Sequence, residues 1–241
     1  TCLHGGAELS TAVWKAFIVD DNAIEMNYTS PDGAMGFPGK VEFKVTFTLH
    51  EDNALKIEYF AISDKKTVIN MTNHAYFNLA GKGDILAHEL MINADAYTPI
   101  DENSIPTGEI RPVEGTPFDF RTAKPIGRDI GAEDDQLAIG KGYDHNFCLN
   151  DGEGPIATAY DPESGRFLEV FTDLCGVQLY TGNFLDGAKI GKNGNPLIKN
   201  AGFCLETQYY PNTPNMPKFP QCTFNAGEKF TSCTVFRFSV K

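Results

Sequence analysis

The clearest hydrophobic pattern in the sequence is a strict alternation of apolar and polar residues over positions 41–49. The odd-numbered residues there are Val, Phe or Leu, and the even-numbered residues are Glu, Lys or Thr. A period of two predicts a strand with one buried and one exposed face. After turn residues at 51–53 the alternation resumes over 55–61, so the two segments together predict a β-hairpin.

Shorter runs of the same kind fill most of the remaining chain. Further strands are predicted over 18–30, 90–97, 166–172, 176–180 and 235–240. Clusters of Gly, Pro, Asn and Asp separate them, as turns do. One short helix is predicted within 126–140. Many short strands with little helix predict an all-β protein, a large antiparallel β-sandwich that forms a single domain over residues 1–241.

Composition and charge narrow the possible partners. The chain has 241 residues, of which 41% are hydrophobic, enough for a sizeable core, and no apolar run approaches the ~20 residues of a membrane helix. The formal net charge is −12, and Lys and Arg are not clustered. A protein that grips phosphate backbones needs such a cluster. We therefore expect no nucleic acid and no membrane as partner, and a neutral or small ligand instead.

The six cysteines indicate the compartment. No two of them have the Cys-x-x-Cys spacing of a zinc or redox site, and most lie in apolar stretches. Small buried thiols fit that pattern. The sequence therefore favours reduced cysteines in a cytoplasmic protein.

The segment 70–81 is the densest polar stretch of the chain. It follows a β-branched run and ends at a glycine, as a strand entering a turn does. It contains the amides Asn70, Asn73 and Asn78 around the imidazole of His74. Buried amides cost stability unless they are hydrogen-bonded, so this clustering indicates a function. A polar turn with a structural histidine is the alternative.

Three further polar clusters are remote from this segment along the chain. They are His4, Asp144–His145 and Glu206-Thr207-Gln208. We expect a sandwich to bring the four clusters together on one concave sheet face. Imidazole and carboxylate are suitable partners for proton transfer, with ordinary pKa values near ~6.5 and ~4.3.

Two other chemistries are less favoured by the sequence. Neither His-x-His nor His-x-x-x-His occurs, so a metal would need ligands drawn entirely from distant segments, and we predict none. A nucleophilic serine lacks the Gly-x-Ser-x-Gly turn, and the cysteines lack a basic neighbour. General acid–base chemistry without a cofactor remains.

Five motifs occur in an order that resembles the aldose 1-epimerase, or galactose mutarotase, family. They are Leu3-His4-Gly5-Gly6, residues 72–79 (TNHAYFNL), 142–147 (GYDHNF), 178–187 (QLYTGNFLDG) and 204–208 (CLETQ). They run over nearly the whole chain. The resemblance implies a β-supersandwich and the cofactor-free interconversion of α- and β-anomers of hexoses such as galactose and glucose. For the oligomeric state we favour a monomer.

The resemblance also implies a role for five residues. Glu206 is expected to be the general base and His74 the general acid. His4 is expected to polarise the sugar near its ring oxygen. Asp144 and Gln178 are expected to bind hydroxyl groups.

Three neighbouring residues are assigned lesser roles. His145, beside Asp144, is expected to be supporting structure. An aromatic ring, Phe184 or Tyr76, is a candidate to flank the sugar, although core packing is the more expected role for both.

The chain departs from the family pattern at its start. Family members carry strands before the Leu-His-Gly-Gly motif, including an Asn-Arg pair that contacts substrate, and residues 7–10 (AELS) replace a usual Arg-Gly-Phe. We therefore expect an N-terminally incomplete domain with an unpaired sheet edge. A catalytically inactive carbohydrate-binding relative is the alternative function. An enzyme for phosphorylated hexoses is a third hypothesis and is ranked low. It would need an arginine cluster at the cleft, whereas Arg111, Arg121 and Arg128 are expected to be surface charges.

Overall fold

The computed structural model describes residues 2–241, with Asn193 described by its backbone alone. Within this range the chain forms sixteen strands and two short α-helices. The helices are α1 (Ala7–Thr11) and α2 (Asp135–Gly140). The strands are β1 (Lys15–Asp20), β2 (Ala23–Ser30), β3 (Val41–Leu49), β4 (Ala54–Ser63), β5 (Thr67–Val68), β6 (Glu89–Ile92), β7 (Ala94–Thr98), β8 (Arg111–Pro112), β9 (Lys124–Pro125), β10 (Asp144–Leu149), β11 (Ala157–Tyr160), β12 (Arg166–Thr172), β13 (Gly176–Tyr180), β14 (Cys204–Gln208), β15 (Thr223–Phe224) and β16 (Lys229–Val240).

Antiparallel pairing joins these strands into two large sheets and one small one. The first sheet has nine strands in the order β1-β2-β3-β4-β16-β12-β11-β6-β9, and the second has five in the order β14-β13-β10-β7-β8. Strands β5 and β15 form a separate two-stranded sheet. The prediction of a large antiparallel β-sandwich with very little helix is confirmed.

The hydrophobic core lies between the two large sheets. The odd-numbered residues of β10, β13 and β14 point into it, and Phe147, Leu179 and Leu205 are at most 1% exposed. At the sheet–sheet contact, the hydroxyl of Thr207 on β14 lies 2.6 Å from that of Thr234 on β16. Because side chains alternate along a strand, the even-numbered residues of β10, β13 and β14 must lie on the opposite face of their sheet.

Periodicity located several strands correctly and failed at two ranges. The predicted range 18–30 contains the end of β1, a turn at residues 21–22 and β2. The predicted ranges 41–49, 166–172 and 176–180 are those of β3, β12 and β13. The single strand predicted over 90–97 is wrong, because the chain leaves the nine-stranded sheet at Asn93 and enters the five-stranded one. Both halves bury apolar residues on one face, so the alternation does not reveal the change of sheet.

The helical segments are short. The helix expected within 126–140 is α2, whose first turn is capped by the Asp134 carboxylate accepting from the backbone N–H groups of Gln136 and Leu137. Helix α1 was not predicted. At five and six residues, neither helix of the described part of the chain is long enough to cross a membrane.

One edge of the nine-stranded sheet is formed by β1. This strand pairs with β2 alone, and all six of its residues are exposed. Phe17, Ile18 and Val19 present apolar side chains to solvent there.

Candidate active site

The register of the five-stranded sheet gathers polar side chains on its outer face. Gln178 on β13 lies opposite Glu206 on β14 and opposite Asn146 on β10. Asp144 is two residues before Asn146 and so points to the same face. The Gln178 amide donates to the Asp144 carboxylate at 2.8 Å. Three of the five residues expected at the site therefore form one polar surface.

The segment that carries His74 is irregular and is held by its own amides. Asn70 donates to the backbone carbonyl of Tyr209 and accepts from the N–H of the same residue, both at 2.9 Å. Asn78 donates to the carbonyl of Ala201 at 2.9 Å. These asparagines are structural, because they replace the sheet hydrogen bonds that an irregular backbone lacks.

His74 projects from this segment towards β14. Its Nε2 lies 3.5 Å from a carboxylate oxygen of Glu206, and its side chain is 32% exposed. On the other side of the ring, Nδ1 lies 3.3 Å from the thiol of Cys204. The Tyr76 ring stacks on the imidazole with centroids 5.2 Å apart. His74 is therefore a partly exposed imidazole that faces a buried carboxylate.

The electrostatics of the site follow from burial. Desolvation, with the nearby negative charge of Asp144, raises the pKa of Glu206 to about 8. Burial also raises the pKa of Asp144, and the hydrogen bond from Gln178 opposes that effect. The pKa of His74 is lowered, chiefly by burial. Around neutral pH the Glu206–His74 pair therefore holds one proton, which belongs to the pair rather than to either residue.

His4 stands at the mouth of the site. It lies in the turn closed by the bond from the Gly6 N–H to the Leu3 carbonyl, and its backbone has a φ of 55°. Its ring centroid is 5.2 Å from that of His74. All five predicted site residues thus lie around one polar face, and their roles remain predictions.

Two amide residues of this face were absent from the predicted set. Gln208 contacts Gln178 and Asn146 at 3.4 Å through its side-chain amide nitrogen. Gln208 and Asn146 are 8% and 1% exposed. The available signal was the spacing, since each lies two residues from a predicted site residue on the same strand. Cys204 could have been found from the same spacing relative to Glu206.

His145 points away from this face. It is fully buried on the core side of the sheet, its ring 4.7 Å from that of Phe118, and its Nδ1 accepts from the Asp144 N–H at 3.1 Å. Burial lowers its pKa to about 3, so the imidazole is neutral. These contacts are those of a supporting residue.

The aromatic rings beside the site are exposed, which corrects one expectation. Tyr76 and Phe184 are 48% and 58% exposed, so core packing is wrong for both. Phe184 stacks on Tyr180 with ring centroids 6.3 Å apart. The rings of Tyr76 and Phe184 therefore form an aromatic surface that is open to solvent next to His74.

The three arginines that an anionic substrate would need are occupied elsewhere. Arg111 pairs with Glu109 at 2.8 Å, and Arg121 pairs with Asp119 at the same distance. Arg128 contacts Asp129 at 3.1 Å. The polar face is lined instead by carboxylate, amide and imidazole groups, a set suited to neutral hydroxyl compounds.

Comparison with known proteins identifies the family of this chain. The family model described as aldose 1-epimerase matches residues 1–237. The chain belongs to the aldose 1-epimerase family. The prediction that it lacks amino-terminal strands is not confirmed by this match, which starts at residue 1.

Named members of the aldose 1-epimerase family are similar over nearly the whole chain. A galactose mutarotase of Rattus norvegicus is 44% identical over 243 residues, which are 99% of this chain and 69% of its own length. The galactose mutarotase of Homo sapiens shows the same identity and coverage. The aldose 1-epimerase of Escherichia coli (strain K12) is 39% identical, over 98% of this chain and 70% of its own length.

Solved structures from the aldose 1-epimerase family share the fold. The aldose epimerase homologue from C. elegans superposes with a TM-score of 0.91 at 28% identity, over 99% of this chain and 72% of that one. Galactose 1-epimerase from Lactobacillus acidophilus NCFM gives a TM-score of 0.89 at 31% identity, over 99% of this chain and 70% of that one.

Proposed function

We propose that this chain interconverts the α- and β-anomers of aldohexoses such as galactose and glucose, with Glu206 as general base and His74 as general acid. The observation that carries the proposal is that His74 and Glu206 face each other at 3.5 Å, beside the polar side chains of Asp144 and Gln178. The chain that contains this pair is a member of the aldose 1-epimerase family. The names of the relatives, galactose mutarotase and aldose 1-epimerase, support the substrate class.

The reaction needs two proton transfers and no redox step. Glu206 takes the proton of the anomeric hydroxyl while His74 gives a proton to the ring oxygen, and the bond between C1 and the ring oxygen breaks. The open aldehyde turns about C1–C2. The ring then closes on the other carbonyl face, with the proton transfers reversed. Positioned acid and base groups typically accelerate such steps by ~10²–10⁴-fold.

Recognition of the sugar falls to the polar face around the pair. The Asp144 carboxylate can accept hydrogen bonds from two hydroxyl groups at once. The hydrogen bond from Gln178 fixes the orientation of this carboxylate. In this proposal Gln178 binds a further hydroxyl, and His4, whose ring centroid is 5.2 Å from that of His74, polarises the sugar near its ring oxygen. The exposed rings of Phe184 and Tyr76 offer apolar surface for a sugar face.

The protonation state of the site sets its working range. The productive form has Glu206 ionised and His74 protonated, and it contains the single proton that the pair holds at neutral pH. Burial places more of this proton on Glu206, whose pKa is raised to about 8. Bound hydroxyl groups that donate to the carboxylate favour its ionised form and so shift the proton towards His74.

Polarimetry of freshly dissolved α-D-galactose tests the function. We expect the approach to anomeric equilibrium to be much faster with the protein than in buffer alone. A rate equal to that of buffer would refute the proposed catalysis. If calorimetry then showed galactose binding without acceleration, the chain would be the inactive carbohydrate-binding relative.

We also propose a single domain over residues 1–241 that acts as a monomer in the cytoplasm. None of the six cysteines, all of which lie in the described part of the chain, forms a disulfide. Free thiols are typical of a reducing compartment.

A further inference from the structure

Three side chains that are good metal ligands meet at one end of β14. Cys204 and Glu206 lie two residues apart on the same face of the strand, and His74 reaches them from its irregular segment. The Cys204 sulfur is 3.3 Å from Nδ1 of His74, and Nε2 of His74 is 3.5 Å from Glu206 Oε1. One ligand atom from each residue lies within 4.8 Å of the other two.

The chemistry of this set matches one class of cation. A sulfur, an imidazole nitrogen and a carboxylate oxygen are the three donor types that Zn²⁺ takes in proteins, at about 2.0–2.3 Å. Hard cations such as Mg²⁺ prefer oxygen ligands alone. Three protein ligands with an open fourth position are the arrangement of many zinc sites that exchange a ligand.

The distances are close to those that a zinc ion needs. Tetrahedral coordination at these bond lengths places the donor atoms about 3.3–3.8 Å apart. A single ion takes only one of the two His74 nitrogens, so one of the two measured contacts is already in or next to that range. The other donor separations are within 4.8 Å and have to close by up to about 1 Å. The half-exposed His74 side chain can supply this movement, since it is attached to an irregular segment.

The surroundings favour a positive charge. Cys204 is fully buried and Glu206 is 7% exposed, and the Asp144 carboxylate lies nearby. A buried carboxylate is costly unless it is paired or coordinates a metal. A divalent cation would compensate the carboxylates and displace the thiol proton of Cys204.

We propose that His74, Cys204 and Glu206 form a binding site for Zn²⁺ and similar thiophilic divalent cations, and that occupancy of this site inhibits the enzyme. Inhibition follows because the ion takes the electron pairs of the imidazole and the carboxylate that the reaction needs for proton transfer. Inhibition rests on the proposed function, whereas binding of the ion does not.

Calorimetry with Zn²⁺ alone, on the metal-free full chain, tests the site directly. We expect one Zn²⁺ per chain, no comparable binding of Mg²⁺, and an affinity that falls more than about tenfold in Cys204→Ser. Cys148→Ser is the matched control, because it removes another buried thiol of the same sheet and should leave Zn²⁺ affinity unchanged. Circular dichroism checks that both variants are folded.

A second measurement does not depend on the fold of a variant. Cd²⁺ added to the wild-type protein should produce the ultraviolet absorption of a thiolate–Cd²⁺ bond, and galactose should compete with it. The absence of Zn²⁺ binding and of this absorption in the wild type would overturn the proposal, as would equal Zn²⁺ affinity in wild type and Cys204→Ser.

The activity assay separates this proposal from the proposed function. Zn²⁺ should slow anomer interconversion by the wild type, a chelator should restore it, and the residual rate of Cys204→Ser should be less sensitive to Zn²⁺. Zn²⁺ binding in a protein without activity would refute the proposed function and leave the metal site supported.

Discussion

The imidazole of His74 and the carboxylate of Glu206 face each other at 3.5 Å although they come from distant parts of the chain. Glu206 is fixed within a buried strand, whereas His74 extends from an irregular segment bonded to the backbone of its neighbours. One partner is therefore rigid and desolvated and the other is partly exposed. This asymmetry underlies the predictions that follow.

Replacing Glu206 by Gln should abolish base catalysis and leave the fold intact. Glutamine has nearly the same shape but does not take up a proton, so we expect anomer interconversion to slow by ~10²–10⁴-fold. Polarimetry of α-D-galactose measures the rate, and circular dichroism measures folding. Glu58→Gln, at an exposed position of β4, is the matched control and should keep full activity. Equal rates for the two variants would exclude Glu206 as the base.

His74 and Glu206 should act as a unit. His74→Asn should slow the reaction by a factor similar to that of Glu206→Gln. The double variant should be little slower than the slower single variant, because a proton relay that lacks one member gains little from the other. Initial rates of the four proteins give the coupling. Independent, multiplicative losses would contradict a shared proton transfer.

The pH profile should reflect the single proton of the pair. We expect kcat/KM to fall below the lowered pKa of His74, where the pair gains a second proton, and above about pH 8, where Glu206 loses the last one. Asp144→Asn removes a charge that raises the pKa of Glu206, so the alkaline limb should move to lower pH.

The same variant tests the recognition role of Asp144. An asparagine side chain accepts fewer hydrogen bonds from hydroxyl groups than a carboxylate does, so the KM for galactose should also rise. An Asp144→Asn protein with an unchanged KM would contradict that role. An unmoved alkaline limb would contradict the electrostatic link to Glu206.

Stability should depend on pH through Glu206. The folded protein keeps the Glu206 proton up to about pH 8, whereas the unfolded chain releases it near the ordinary value of 4.5. Between these values the folded state binds more protons, so the free energy of unfolding falls as the pH rises, by up to about 1.4 kcal/mol per pH unit. Urea unfolding of wild type and Glu206→Gln at several pH values isolates this contribution. A stability difference that does not change between pH 5 and pH 8 would contradict it.

Phe184 should contribute to substrate binding and little to stability. Its ring is 58% exposed beside the site, so Phe184→Ala should raise KM with little change in kcat or melting temperature. Phe118→Ala is the contrast, because that ring is fully buried and its loss should cost about 3–5 kcal/mol. An unchanged KM in Phe184→Ala would exclude the ring as part of the sugar surface.

Local patterns were sufficient for the fold class and for most strands. Alternation over Val41–Leu49 and Arg166–Thr172 marks strands directly, because a half-buried strand requires it. It failed at Asn93, where the strand partner changes without a change in burial pattern. Residue type also led to the expectation of core packing for Phe184 and Tyr76, because an aromatic side chain has the same hydrophobicity wherever the fold places it.

The sequence by itself determined the β-sandwich, the chemistry-bearing residue types and, through ordered motifs, the family resemblance. Only the tertiary structure decided that His74 meets Glu206 and Cys204 and that Gln178 orients Asp144. The physical reason is that pairing register and sheet stacking set the distances between remote residues. Those depend on contacts throughout the core, which no local stretch of sequence contains.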